Sequence, residues 1–315
     1  MSKDSTSESK NYVIWRLLDG KAGHEAQTLG LLKALEKRVR IDPYEIDVPA
    51  CRKSFLGFIF KYFEPGKSLP SPDLIIGAGN RTHLALLAAR RSYGGKTIVH
   101  MQPTLPVSLF DLCLIPKHDL KKADKKILLT EGVLNPIRPA PDADPRRGLF
   151  LIGGPSVHYR WDTTQITDQV VTLIQETPEI HWTLTTSRRT PADCTQALMD
   201  LSYANLEVIP VEKTPQGWIA EKLNECKIVW VSEDSVSMVY ESLTAGALTG
   251  LLAVPALKQI SRVKNSVRLL LDQQCIVPFE KRNQLLESGN DILLAEADRC
   301  ADYIITHLLN AKSQN

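Results

Sequence analysis

The sequence has few aromatic residues, 6% of 315 positions, and no excess of one charge, with 38 Lys and Arg against 36 Asp and Glu. A net charge of +2 is too small to argue for nucleic acid, and no nucleic-acid partner is expected. No apolar run approaches the roughly 18 residues that a spanning helix needs. The six cysteines, Cys51, Cys113, Cys194, Cys226, Cys275 and Cys300, form neither a CxxC pair nor a Cys/His group. Neither a metal site nor a disulfide framework is therefore expected, and reduced thiols fit a cytoplasmic protein. The first ten residues, MSKDSTSESK, lack the apolar segment of a secretory signal, and residues 1–11 read as a disordered tail. There is no GxGxxG, and Asp47 is followed by Val-Pro, which disfavours a nicotinamide cofactor.

What is present is a core-forming composition, 43% hydrophobic and 23% charged. Apolar runs alternate with amphipathic stretches. Strands are expected at Val13–Leu18, Tyr44–Val48, Asp73–Gly77, Thr97–His100 and Leu112–Ile115, with helical patterns between several of them. The proline-rich stretch 135–147, NPIRPAPDADPRR, reads as a linker. Alternation then resumes at Gly148–Ile152, Ile180–Thr185, Leu206–Pro210, Ile228–Val231 and Thr249–Val254, and a helix is expected over Ile292–Leu309. The chain therefore reads as two α/β domains, residues 12–134 and 148–290, followed by a helix and tail at 291–315. Ligands of such sheets bind beyond the carboxyl ends of strands, so a cleft between the domains is the expected site.

Several strand ends carry polar groups. Asp19–Glu25 joins the first strand to its helix through Gly20, Lys21, Gly23, His24 and Glu25, with the helix expected to start at Glu25. This is either turn chemistry or a ligand-binding turn whose His24 serves as a base. Gly77 and Gly79 lead into Asn80, Arg81 and His83; Asn80 or Thr82 suits a helix cap, and Arg81 suits a ligand. His100 and Gln102 end a strand before a proline-rich loop, as a binding loop or a structural turn. In the second domain, Gly153, Gly154 and Ser156 make a turn able to approach phosphate, followed by His158 and Arg160. Ser187, Arg188 and Arg189 close another strand, as a phosphate fork or a surface pair. Ser232–Ser235 precedes a helix capped by Asp234 or Ser235 and ended by Gly246. Glu241 inside that helix is either a solvated glutamate or an acceptor for a sugar diol. Finally, Cys51–Pro65 holds Phe55, Phe58, Phe60 and Phe63 with Arg52, Lys53 and Lys61. It reads as a buried helix of the first domain or as a membrane-contacting segment over residues 52–63.

The segments DGKAGHEAQ, GAGNRTHLAL, FDLCLIPKHD, LTEGVLN, LIGGPSVHYRW, TSRRTP and SEDSVSMVYESL, in this order across about residues 13–255, resemble the mitochondrial-fission "elongated mitochondria" family. The resemblance implies a GT-B glycosyltransferase-like fold: two Rossmann-like domains facing a cleft, with the C-terminal helix crossing back to the first. The spacing of Glu241 and Gly246 also resembles that of the lipid-linked GlcNAc transferase of peptidoglycan synthesis, whose glutamate at this place holds a ribose.

These resemblances imply a glycosyltransferase using a nucleotide sugar, UDP-linked, and no other cofactor. The donor residues would be Gly153, Gly154, Ser156, His158, Ser187, Arg188, Arg189, Asp234, Ser235 and Glu241. Gly20, Lys21, Gly23, Asn80, Arg81 and Gln102 would meet a cell-envelope or lipid-linked acceptor. His24 or Glu25 would be the base, and the lack of a DxD pair agrees with metal independence. The expected location is the cytoplasm, at the inner face of the membrane. The alternatives are a non-catalytic membrane adaptor and a sugar-nucleotide epimerase.

Overall fold

In a computed structural model, residues 10–48, 51–119, 124–257, 262–286 and 294–310 are described. The chain divides into two compact units, Met1–Pro136 with Glu296–Asn315, and Ile137–Ala295. Residues 1–9 of the expected tail, and 291–293 and 311–315 of the expected C-terminal segment, lie outside the described residues.

The first unit is built on β1 (Tyr12–Leu18), α1 (Ala22–Glu36), β2 (Ile41–Asp47), α2 (Cys51–Phe60), β3 (Leu74–Ala78), α3 (His83–Tyr93), β4 (Lys96–His100), β5 (Leu112–Pro116) and β6 (Ile127–Thr130). Its six strands are parallel in the order β2-β1-β3-β4-β5-β6. Central strands of a parallel sheet are covered on both faces and so read as continuous apolar runs, as in β3 and β5. One face packs Ile14, Ile76 and Ile98 against Leu31 and Leu35 of α1. The other packs Trp15, Ile75 and Val99 against Ala85 and Ala88 of α3. Arg16 is buried within β1, and its guanidinium ties the sheet to α1: Nε donates to Thr28 Oγ1 at 2.8 Å and Nη2 to the Glu25 carbonyl at 2.6 Å. Glu45 on β2 completes its ion pair.

The second unit contains β7 (Asp144–Leu151), α4 (Thr163–Glu176), β8 (His181–Thr185), α5 (Ala192–Met199), β9 (Leu206–Ile209), α6 (Trp218–Glu225), β10 (Cys226–Ser232), α7 (Val236–Ala245), β11 (Leu248–Leu252), α8 (Arg262–Asp272) and β12 (Val277–Pro278). Its parallel order is β12-β11-β10-β7-β8-β9, which is the doubly wound Rossmann order. Trp182 and Trp230 fill the core by lying where side chains on Gly148 and Gly250 would stand. The last helix, α9 (Glu296–Ile304), returns to the first unit. Its Cys300, Ala301 and Ile304 join the α1 core, and Asp298 and Asp302 pair with Arg38 at 2.7 and 2.5 Å.

Some sequence expectations need correction. Asp144–Arg147, inside the stretch expected to be linker, is already part of β7: a polar strand start carries no apolar signal. The short edge strands β6 and β12 escape a reading based on apolar runs. Helix α1 begins at Ala22 rather than at Glu25. The aromatic segment is not a fully buried helix. It ends at Phe60, Phe63 is buried beyond it, and Phe55 and Phe60 point to solvent. The Arg52 side chain lies outside the described residues.

Candidate functional site

In an open parallel sheet, ligands bind where the strand order reverses, because the flanking loops diverge there and leave a crevice. In the first unit that point is between β1 and β3. The loops after these two strands are Asp19–Lys21 and Gly79–Thr82, and they meet around His24. His24 stands in the first turn of α1, with Nδ1 2.9 Å from Oδ2 of Asp19, whose side chain is fully buried. Oδ1 of Asp19 accepts from the Lys21 amide at 3.1 Å, and Arg81 donates to the Asp19 carbonyl at 3.2 Å. The imidazole lies against Gly79, where a Cβ would come within 2.3 Å of the ring. Gly79 also has φ +78°, a conformation that favours glycine. It is therefore required by both backbone and ring.

Of the other expected residues in this unit, Gly20, Lys21 and Gly23 are exposed on the same turn, and Asn80 is exposed on the facing loop. The Glu25 carboxylate accepts from the Gly20 amide at 3.1 Å, so it serves the turn rather than standing as a second base. Neither Asn80 nor Thr82 caps α3 by its side chain, since the Thr82 hydroxyl donates to the Gly79 carbonyl at 2.8 Å. Gln102 is not joined to the His24 group by any hydrogen bond, and its buried Oε1 has no partner. His100 is fully buried with neither ring nitrogen bonded. Burial, with Arg16 nearby, pushes its pKa down to about 3. Burial also lowers His83 to about 4. Both rings are thereby held neutral at ordinary pH.

In the second unit the strand order reverses between β7 and β10. Here the structure changes the meaning of the glycine turn. The Gly153 amide donates to Ser232 Oγ at 2.7 Å, and the Gly154 amide to Asp234 Oδ2 at 3.0 Å. Those donors are engaged and do not form a phosphate cradle. The glycines serve close packing: a Cβ on Gly153 would meet Asp234 Oδ2 at 2.3 Å, and one on Gly154 the Arg189 carbonyl at 2.2 Å. Asp234 also holds Arg189 Nη2 at 2.7 Å, so the expected phosphate fork is divided. Arg189 is a structural partner, further tied to the Gly154 carbonyl at 2.8 Å. Arg188 is exposed and makes no ion pair or hydrogen bond among the described residues. Ser187 helps shape its own turn, accepting from the Arg189 amide at 3.2 Å. Ser156 accepts from the His158 and Tyr159 amides at 3.1 and 3.2 Å, while His158 keeps a buried Nδ1 without a partner.

Helix α7 rises from this junction. Ser235 occupies its N-cap position, but its hydroxyl makes no capping bond, so the first amides of α7 keep no side-chain acceptor among the described residues. Gly246 ends the helix at φ +78°. Glu241, half-buried within α7, has no hydrogen-bond or ion-pair partner among the described residues, and burial raises its carboxyl from 4.5 to about 7. An uncapped helix start suits an anion, as does the exposed Arg188 guanidinium, and a carboxylate with no partner among the described residues suits hydroxyl groups. Sequence reasoning missed Asp19, Ser232 and Thr190. Asp19 and Ser232 read locally only as turn residues and nothing local marks Thr190, because the bonds of Ser232 and Thr190 reach Gly153 from distant parts of the chain. Among the described residues, no group of three or more His, Cys, Asp or Glu side chains is arranged to hold a metal ion. No helix among them is long and apolar enough to cross a membrane.

A family model described as Mitochondrial fission ELM1 matches residues 22–308, and the chain belongs to that family. An uncharacterized protein of Rickettsia prowazekii is 22% identical over 92% of this chain and 97% of its own length. Among solved structures, UDP-GlcNAc 2-epimerase from Neisseria meningitidis bound to UDP-GlcNAc superposes with a TM-score of 0.64 at 12% identity, covering 96% of this chain and 100% of that one. Phytolacca americana UGT2 complexed with UDP-2-fluoro-glucose and pterostilbene gives 0.50 at 10% identity, covering 94% and 90%. The fold is thus GT-B, with two Rossmann-like units.

Proposed function

We propose that this family member is a metal-independent glycosyltransferase, moving a sugar from a nucleotide-linked donor to a hydroxyl of a lipid-linked or envelope glycan. The observation that carries the reading is the Asp19–His24 pair at the strand reversal of the first unit. A buried carboxylate on Nδ1 holds the imidazole with Nε2 as the proton acceptor and stabilises the imidazolium once the proton arrives. A purely scaffolding protein has no use for an oriented base.

The acceptor oxygen attacks the anomeric carbon, the bond from that carbon to the diphosphate oxygen breaks, and the acceptor proton passes to His24 Nε2. Lys21, Arg81, Asn80 and Gln102 are the proposed acceptor contacts. On the second unit, ionised Glu241 would accept from the ribose hydroxyls. The α7 amides and Arg188 would stabilise the departing diphosphate without a metal. Undiminished activity in EDTA is the expected outcome. The structures solved with UDP-linked sugars make uridine diphosphate the first nucleotide to test.

The test is a thermal-shift screen of nucleotides and nucleotide sugars, repeated with Glu241→Ala and Arg188→Ala. A bound ligand stabilises the wild type by an amount that grows with the logarithm of its concentration above Kd, and each variant should lose that increment. No increment with any nucleotide at millimolar concentration would sink the reading. Product analysis with the stabilising ligand then separates transfer from 2-epimerisation, which would return an altered sugar nucleotide without any acceptor.

A further inference from the structure

Among the described residues, half of the exposed large hydrophobic ones fall in one short stretch: of Phe55, Leu56, Ile59, Phe60, Tyr62, Leu109, Val157, Met199, Leu257 and Leu286, the first five lie on or just after α2. Helix α2 has the reverse of the usual amphipathic arrangement. Positions 55, 56, 59 and 60, one stripe at i, i+1, i+4 and i+5, point outward, with Phe60 73% exposed. The side facing α3 carries small residues, Ser54 and Gly57, and the half-buried Phe58, whose ring lies under Arg91 at 5.1 Å. A helix folded only to fill a core would turn its large residues inward.

The end of α2 is also built to a set shape. The Tyr62 amide reaches back to the Gly57 carbonyl at 2.9 Å, and Lys61 takes φ +54°, a place that helix ends normally give to glycine. A Cβ on Gly57 would come 2.3 Å from the Tyr62 carbonyl oxygen, so glycine is needed for this return. The result is an exposed tip, Phe60-Lys61-Tyr62. Lys53, Lys61 and Lys67 have no acidic partner among the described residues, against one exposed acid, Glu64, in the same stretch.

We propose that the outer face of α2 and the tip after it dock this protein on an anionic lipid bilayer, with α2 lying in the plane of the surface. Aromatic and aliphatic side chains enter the acyl boundary while the lysine ammonium groups stay among the headgroups. The lysines argue against a protein partner, because protein interfaces are depleted of lysine. A second copy on this face would bring like charges together. Bilayer docking does not depend on sugar transfer, since an adaptor would use the same face.

The test is co-sedimentation with vesicles of phosphatidylcholine alone and with about a third phosphatidylglycerol, without nucleotide. The wild type should pellet with the anionic vesicles and be released by high salt. Phe60→Ser should weaken partition about ten-fold. Lys61→Gly should weaken it about five-fold while leaving the melting temperature unchanged or higher, because glycine suits the left-handed position. Retention of the wild type in the supernatant, or pelleting of both variants like wild type, would overturn the proposal. So would a concentration-dependent dimer, seen by sedimentation velocity, that Phe60→Ser converts to monomer. Nucleotide-induced thermal shifts should survive in both variants. A protein that binds vesicles but no nucleotide refutes only the transferase reading, and one that binds nucleotide but no vesicles refutes only this surface.

Discussion

Glu241→Gln should make the protein more stable and less functional, and the size of the gain follows from the site. Burial, with no partner among the described residues, raises the Glu241 carboxyl from 4.5 to about 7. Below pH 4.5 the group is protonated in both folded and unfolded chains and contributes nothing to their difference. Between 4.5 and 7 the unfolded chain releases the proton while the folded one retains it, so rising pH favours unfolding. Above 7 the deficit is constant. At about 1.4 kcal/mol per pH unit the upper limit is about 3 kcal/mol, and partial contact with solvent reduces it to about 1–2. Glutamine keeps the shape and has no charge to desolvate. Its Tm should equal that of wild type near pH 4.5 and exceed it at pH 8 by about 2–8 °C, on the usual scaling for a unit of this size. Nucleotide affinity of the wild type should rise with pH through about 7 as the carboxylate forms, and the variant should lack that rise. Thermal melts from pH 4.5 to 8, with and without nucleotide, provide the check. A variant that melts at or below wild type at pH 8, or a difference independent of pH, would refute the account of Glu241 as an unpartnered, desolvated acid.

Other consequences can be measured separately. Asp19→Asn should lower turnover by about 10²–10⁴ with donor affinity unchanged, measured on the nucleotide sugar that stabilises the wild type; an equal loss of donor affinity would contradict the role of the pair. Gly153→Ala drives a Cβ to 2.3 Å from Asp234 Oδ2 and should destabilise the second unit by about 1–3 kcal/mol in a urea melt, whereas an unshifted midpoint would show that this junction yields easily. His100 titrates near 6.5 when unfolded but at about 3 when folded, so the unfolded chain binds the extra proton and stability falls as pH drops through that window. His100→Met should therefore move acid unfolding, followed by circular dichroism, to lower pH, and His83 should retain a smaller share of the sensitivity.

The strand–turn–helix units were legible because apolar periodicity is local. So was the setting of His24 near a strand end and of Glu241 inside the helix that follows one. The role of the Gly153-Gly154 turn was not. Its spacing suggested phosphate, but its amides go to Ser232 and Asp234, about 80 residues away. The Arg188-Arg189 pair looked equivalent in sequence, yet only Arg189 meets Asp234. In the aromatic segment the composition suggested a surface or a core and could not say which side each ring takes. Phe58 proves half-buried and Phe60 exposed.

By itself, then, the sequence determined that two parallel α/β units would form and which residues would stand at their strand ends, since both depend on patterns within about ten residues. The tertiary structure decided which of those residues remain able to meet a ligand. Strand order brought the loop after β1 beside the loop after β3, so Asp19, His24 and Gly79 became one group. The same long-range packing joined the Gly153-Gly154 amides, Asp234 and Arg189 to one another, and left Arg188 and Glu241 without partners, and the start of α7 without a side-chain cap, among the described residues. A hydrogen-bonding group has a fixed capacity, and its neighbour in space, not in sequence, determines how much of it is left for a ligand.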